Sequence, residues 1–151
     1  MTIGLDTNIL CYALDPAFNE HKKAKSLVVK AIRSKQKISI NPTTIHETYH
    51  TLVYKQKWVQ DDARAKIIAF IKHPQAVFQN QTKKISLLAL KLAVNLNLGG
   101  RDSLILANML ENRVEKLYTH DKGLLLLKRV SIGGYSLLIE DPIAGKPRRR
   151  C

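Results

Sequence analysis

Acidic residues are scarce in this chain. Its 151 residues include 12 Asp and Glu against 25 Lys and Arg, a formal net charge of +13. An excess of that sign argues for a polyanionic partner such as nucleic acid, or for an acidic protein. Cysteine is nearly absent: Cys11 and Cys151 are the two, with no CxxC pair. That excludes a disulfide framework and a thiolate zinc site, and it points to a cytoplasmic chain. No apolar run approaches the ~18 residues of a membrane-spanning helix. The opening MTIGLD has neither a basic n-region nor a long apolar h-region, so no secretory signal is expected. Aromatics amount to 6%, and they form no RNA-recognition signature of interleaved aromatics.

Hydrophobic residues at 45% and charged residues at 25% describe one ordinary globular domain. Residues 2–6 (TIGLD) read as a strand that ends on an acid. Asn19 is the expected cap of a helix over 20–35, where Ala24, Leu27, Val28, Ala31 and Ile32 recur at helical spacing. KISIN (37–41) is a second strand. Pro42 suits a helix first turn, and TTIHETYHTLVYKQ continues as helix. Helices over 61–73, 82–98 and 102–112, a short helix over 123–128, and strands over 76–78, 116–120 and 135–140 complete the reading. Strands alternate with helices throughout, which predicts an α/β fold, a three-layer α/β/α sandwich with a mostly parallel central sheet. The domain is expected over 1–143, followed by a basic, flexible tail over 144–151.

Against so few acids, the position of four is informative. Asp6 closes the first strand. Glu47 lies about two turns into the helix after the second strand. Asp102 opens a helix just after Gly99-Gly100, and Asp121 follows the strand KLYTH. In a parallel sheet, ligands bind outside the carboxyl ends of the strands. Taken singly, each acid also reads as a turn, cap or solvated helix residue. Converged, they make an anionic pocket in a basic protein. Two carboxylates ~5 Å apart repel by ~3 kcal/mol at an effective dielectric of 20. A hard divalent cation with oxygen preference, Mg²⁺ or Mn²⁺, is the natural compensator.

The order LDTNIL (5–10), TTIHE (43–47), RDSLILA (101–107) and YTHDKGL (118–124) resembles the PIN-domain ribonucleases. More narrowly, it resembles the VapC-type toxins of toxin–antitoxin pairs. The resemblance covers nearly the whole chain. It implies a PIN-like fold in which Asp6, Glu47, Asp102 and Asp121 bind Mg²⁺ or Mn²⁺ and are catalytic in cutting RNA. It also implies that Asn8 and Thr119 orient waters or the acids. Two departures from the family pattern stand out. Ser103 replaces a commoner alanine, and Gly123-Leu124 follow Asp121 where an aromatic is often seen. A VapC-type chain would further imply a cognate antitoxin and a homodimer. The antitoxin would lay an apolar helix between helices 20–35 and 42–57 and place a basic side chain among the four acids.

Residues 46–50 also spell HExxH. On a helix, His46 and His50 would share a face and bind zinc, with Glu47 as the general base of a metalloprotease. No third ligand follows at a suitable spacing, and the charge and the α/β alternation are unlike a small protease. In the nuclease reading, His50 lies one turn beyond Glu47 and is a candidate phosphate contact. Arg101 and Lys122 adjoin two of the acids and are candidates for the same role. Lys22, Lys23 and Lys25, Lys83 and Lys84, and Arg148–Arg150 read as solvated faces. With aromatics scarce, RNA would be read by shape, backbone charge and a few pocket contacts rather than by stacking. Cys11, Tyr12 and Leu14 read as packing residues, and Trp58 as either core or interface. A PIN-like RNA-binding module with little catalysis is the remaining alternative.

Overall fold

The computed structural model describes residues 1–144, so the tail from 145 onward, including Arg148–Arg150 and Cys151, lies outside the described residues. In chain order the elements are β1 (Thr2–Leu5), α1 (Thr7–Leu14), α2 (His21–Arg33), β2 (Lys37–Ile40), α3 (Pro42–His50), a π-helical turn (Thr51–Lys55), α4 (Gln60–Ile71), β3 (Ala76–Phe78), α5 (Lys83–Leu96), α6 (Gly100–Glu111), β4 (Lys116–Tyr118), α7 (Lys122–Leu125), β5 (Arg129–Ile132) and β6 (Tyr135–Glu140). They form one sheet of order β3-β2-β1-β4-β6-β5, parallel except for the β5–β6 hairpin. Helices cover both faces. In β1, Ile3 and Leu5 enter a core with residues of α1 to α4, while Gly4 is met from the other side by Met109 of α6. A parallel sheet buried on both faces needs near-continuous apolar strands, and IGL, ISI and LY supply them.

Local chemistry accounts for most element boundaries. The side chain of Asn41 accepts the Thr44 amide at 3.0 Å, and Pro42 fills the first position of α3. Thr82 caps α5 in the same way. Asn97 closes α5 in a left-handed conformation at φ 52°. The expected Asn19 cap is not formed. Glu20 takes the cap position of α2 and no side chain bonds the first turn there. The helix expected through residue 56 is α-helical only to His50 and then widens into the π turn. Two elements escape sequence periodicity. TNILCYAL of α1 is apolar on nearly every side because it is largely enclosed, so no amphipathic stripe marks it. β5 is short and mostly exposed, and it exists because Gly133-Gly134, both at positive φ, turn it back onto β6.

Topology places the site. The chain runs outward from β1 to β2 and β3, then returns across the sheet to β4, on the other side of β1. The reversal leaves a crevice at the carboxyl ends of β1 and β4. Leu5 is registered with Tyr118, and the Asp6 amide donates to the Tyr118 carbonyl at 2.9 Å. The segments leaving β1 and β4 are therefore neighbours.

Candidate active site

Asp6 is wholly buried at the end of β1 and caps α1. One carboxylate oxygen accepts the Thr7 amide at 2.7 Å, and the other accepts the Thr119 hydroxyl at 2.7 Å. Thr119 Oγ1 in turn accepts the Asp121 amide at 3.0 Å, so one hydroxyl ties the loop after β4 to the acid after β1. Asp121 caps α7, its Oδ1 accepting the Gly123 amide at 2.7 Å. Asn8 Oδ1 accepts the His120 amide at 3.4 Å.

Glu47 and Asp102 reach this place from two other helices, and they meet there through a cation that belongs to the chain. Arg101, in the first turn of α6, bonds Glu47 Oε2 through Nε, Asp102 Oδ1 through Nη1 at 3.0 Å, and stands 3.6 Å from Asp6 Oδ1 through Nη2. Burial is the main force raising the Asp6 carboxyl above its ordinary value, against the Thr119, Thr7 and Arg101 contacts that favour its charge; Asp121 adds to the rise. Asp102 is raised chiefly by desolvation, with Arg101 opposing and Asp121, Asp6 and Glu47 reinforcing. The four expected acids thus share one crevice, three of them around a single guanidinium and the fourth coupled to Asp6 and Asp102 through charge.

Arg101 is found bonded to the acids. Lys122 is exposed at the start of α7. His50 is exposed and lies against Tyr54, with ring centroids 5.0 Å apart. The residues of that helix which line the cleft beside the acids are Glu47, Thr51 and Lys55, spaced four apart. His46 lies in a separate groove between α3 and α4, with Ile45, Tyr49 and Ile67. The two histidines of HExxH therefore do not frame Glu47. Trp58 packs against the core and donates to the buried Asp15 at 3.1 Å.

The donor set suits a hard divalent cation in chemistry: four carboxylates, no sulfur and no imidazole. Its centre, however, holds the Arg101 guanidinium as a stand-in positive charge. Among the described residues no three of His, Cys, Asp and Glu stand close enough to share one ion. Sequence reasoning missed Tyr12, Phe18, Thr51 and Lys55 as cleft residues. The 47–51–55 spacing was the available signal for two of them. The walls expected for an apolar groove also need correction. The apolar side of α2 (Ala24, Val28, Ala31) is buried, and its outer groove carries Lys22, Lys25, Lys30 and Arg33. The exposed apolar groove runs between α3 and α4 instead.

The profile of the PIN domain matches residues 3–131. Several solved structures share the fold. VapC20 of Mycobacterium tuberculosis, a Sarcin-Ricin loop cleaving toxin, superposes with a TM-score of 0.69 at 16% identity, over 86% of this chain and 98% of that one. VapBC2 of Rickettsia felis, bound to a DNA fragment from its promoter, gives 0.64 at 18% identity, over 93% and 100%. A toxin–antitoxin complex from Klebsiella pneumoniae gives 0.59 at 21% identity, over 93% and 97%. No curated protein matches the sequence. No helix among the described residues is long and apolar enough to cross a membrane.

Proposed function

The chain belongs to the PIN domain family, and from that premise we propose that it is a metal-dependent endoribonuclease, the toxin of a VapBC-type pair. The observation that carries this reading is the convergence of Asp6, Glu47, Asp102 and Asp121 on the crevice between β1 and β4 in a chain of net charge +13. Bulk basicity gathers the polyanion, and the local acids concentrate a cation where the backbone is cut. Mg²⁺ or Mn²⁺ supplies, when bound, Lewis acidity toward a phosphoryl oxygen and a water. Asp6, Glu47, Asp102 and Asp121 would hold it. Thr119 keeps Asp6 and the Asp121 backbone in fixed relation, and Asn8 does the same for the loop at His120. Arg101 would have to leave the acids for a divalent cation to sit among them, and its guanidinium would then be free to bond a phosphate. Hydrolysis of this kind leaves a 3′-hydroxyl and a 5′-phosphate and needs no 2′-hydroxyl.

The toxin part of the reading rests on the shared fold of the Mycobacterium, Rickettsia and Klebsiella structures. It implies an antitoxin partner and a homodimer in the cytoplasm. One observation favours a module that binds RNA without cutting it: Arg101 already occupies the centre of the acids and offsets part of their charge. A single assay separates the two. Purified chain is incubated with a mixed RNA panel in EDTA, Mg²⁺ or Mn²⁺. Metal-dependent products bearing 5′-phosphates are expected, and they are expected to vanish in Asp102→Asn. RNA binding with no cleavage under any metal would establish the module instead.

A further inference from the structure

Beside the acids lies a cleft of about 480 Å³ between α1, the Phe18 segment and the π turn. Glu47 and Arg101 belong to its lining as well as to the acid cluster, so whatever fills the cleft ends within reach of the acids. Two of its lining residues are aromatic. Tyr12 and Phe18 meet edge to face, with centroids 5.0 Å apart and planes at 70°. Tyr12 meets His120 the same way at 6.1 Å and 71°. Asp141 holds the His120 ring at 2.8 Å. The rings of Phe18, Tyr12 and His120 form a row that reaches the loop of Thr119 and Asp121. Tyr12, expected from sequence only to pack, stands here with part of its surface open.

A cation completes the cleft. Lys55 is exposed on the face that carries Glu47 and Thr51. It is a point charge suited to a phosphate. Aromatic rings and a cation lining one cleft together match two parts of a nucleotide: base and phosphate.

We propose that this cleft is a nucleotide subsite, in which one unpaired base of single-stranded RNA lies against Tyr12 and Phe18 while Lys55 meets its phosphate. The proposal deepens the ribonuclease reading and rests on it for the identity of the ligand. Stacking on protein rings tolerates any base and is worth roughly ten-fold in affinity per base. Recognition here would therefore require an unpaired base rather than a particular sequence.

The test compares fluorescein-labelled uridine and adenosine decaribonucleotides with an abasic ribose-phosphate decamer of equal length and charge. Binding to the full chain in EDTA is followed by anisotropy. Both base-bearing decamers are expected to bind roughly ten-fold tighter than the abasic one. Phe18→Leu and Tyr12→Leu are expected to erase that difference without weakening the abasic decamer, and Phe18→Trp to keep it. Lys55→Ala is expected to weaken all three decamers alike. Equal binding of base-bearing and abasic decamers to the unaltered chain would overturn the proposal. So would a base preference that survives both leucine variants. If either leucine variant fails to fold, 2-aminopurine placed in the decamer reports on the unaltered chain. Quenching on binding supports stacking, and its absence refutes it. Cleavage with Mn²⁺ is measured in parallel, so a chain that prefers bases but cuts nothing refutes the nuclease reading and leaves the subsite standing.

Discussion

Arg101→Gln is the most revealing perturbation of this site. The guanidinium stands 3.0 Å from Asp102 and 3.6 Å from Asp6, and bonds Glu47. At an effective dielectric of 20, each such pair is worth about 5 kcal/mol in Coulomb energy. Most of that is not net stability. Arg101 has 44% of its side chain exposed, with Glu47 at 30% and Asp102 at 22%, so water screens those two pairs. Asp6 differs because it is wholly buried and loses the cationic neighbour that favours its charge. Allowing about 2 kcal/mol for an uncompensated, partly hydrogen-bonded buried charge, the metal-free variant should melt roughly 4–8 °C below the parent for a domain of this size.

The pH dependence has a definite sign. Asp6 and Asp102 are already raised, Asp6 mainly by burial and Asp102 mainly by desolvation. Removing Arg101 takes away a contact that lowers both and raises them further. A carboxyl whose folded value lies above its unfolded value is not penalised below the ordinary Asp value. It loses stability as pH rises through the folded value. The deficit of Arg101→Gln should therefore be largest at neutral pH and shrink on acidification toward the ordinary carboxylate range. Metal affinity should move the other way. An incoming Mn²⁺ no longer has to displace a guanidinium, so calorimetric titration should show roughly ten-fold tighter binding, equivalent to about 1.4 kcal/mol. Melting by circular dichroism in EDTA and Mn²⁺ titration form one experiment. An unchanged melting temperature together with unchanged or weaker Mn²⁺ binding would refute the account of Arg101 as an internal counter-ion.

Asp6→Asn and Asp102→Asn should each abolish RNA cleavage while leaving a cooperative melt in EDTA within a few degrees of the parent, because each relieves carboxylate repulsion; full activity in both would sink the site assignment. His46→Ala should retain substantial cleavage, and zinc should not replace Mg²⁺ or Mn²⁺, since His46 lies in the α3–α4 groove. Cys11 is pushed up to about 11 by burial, so its thiol should resist a disulfide reagent at pH 8 until the chain unfolds. The same shift should subtract stability only as pH climbs from about 9 toward 11, which an alkaline melting series checks. Gly4→Ala would place a Cβ 2.6 Å from both Sδ and Cε of the buried Met109. Overpacking there should cost about 1–3 kcal/mol in a denaturant titration.

The features legible in the sequence were local ones. Asn41-Pro42 announces α3 because a cap acceptor and a missing amide act within one turn. The strands IGL and ISI announce themselves because a sheet covered on both faces selects unbroken apolar runs. The four acids were visible because acids are rare here, because Asp6 and Asp121 follow strand ends and Asp102 opens a helix, and because Glu47 lies on the helix that directly follows the second strand. The tertiary structure alone decided the rest. α1 has no periodic stripe because it is largely enclosed, and β5 depends on a hairpin partner rather than on its own four residues. Arg101 next to Asp102 looked like a phosphate contact, since sequence places it beside one acid only. The return of the chain from β3 to β4 sets β4 beside β1, and the packing of α3 and α6 over that edge carries Glu47 and Arg101 to Asp6. Tyr12 and Phe18 become a cleft wall for the same reason. Capping and hydrophobic period act over a few residues of chain, whereas a site made where several elements end depends on contacts between segments far apart in sequence. Only the sheet order and the crossover fix those contacts.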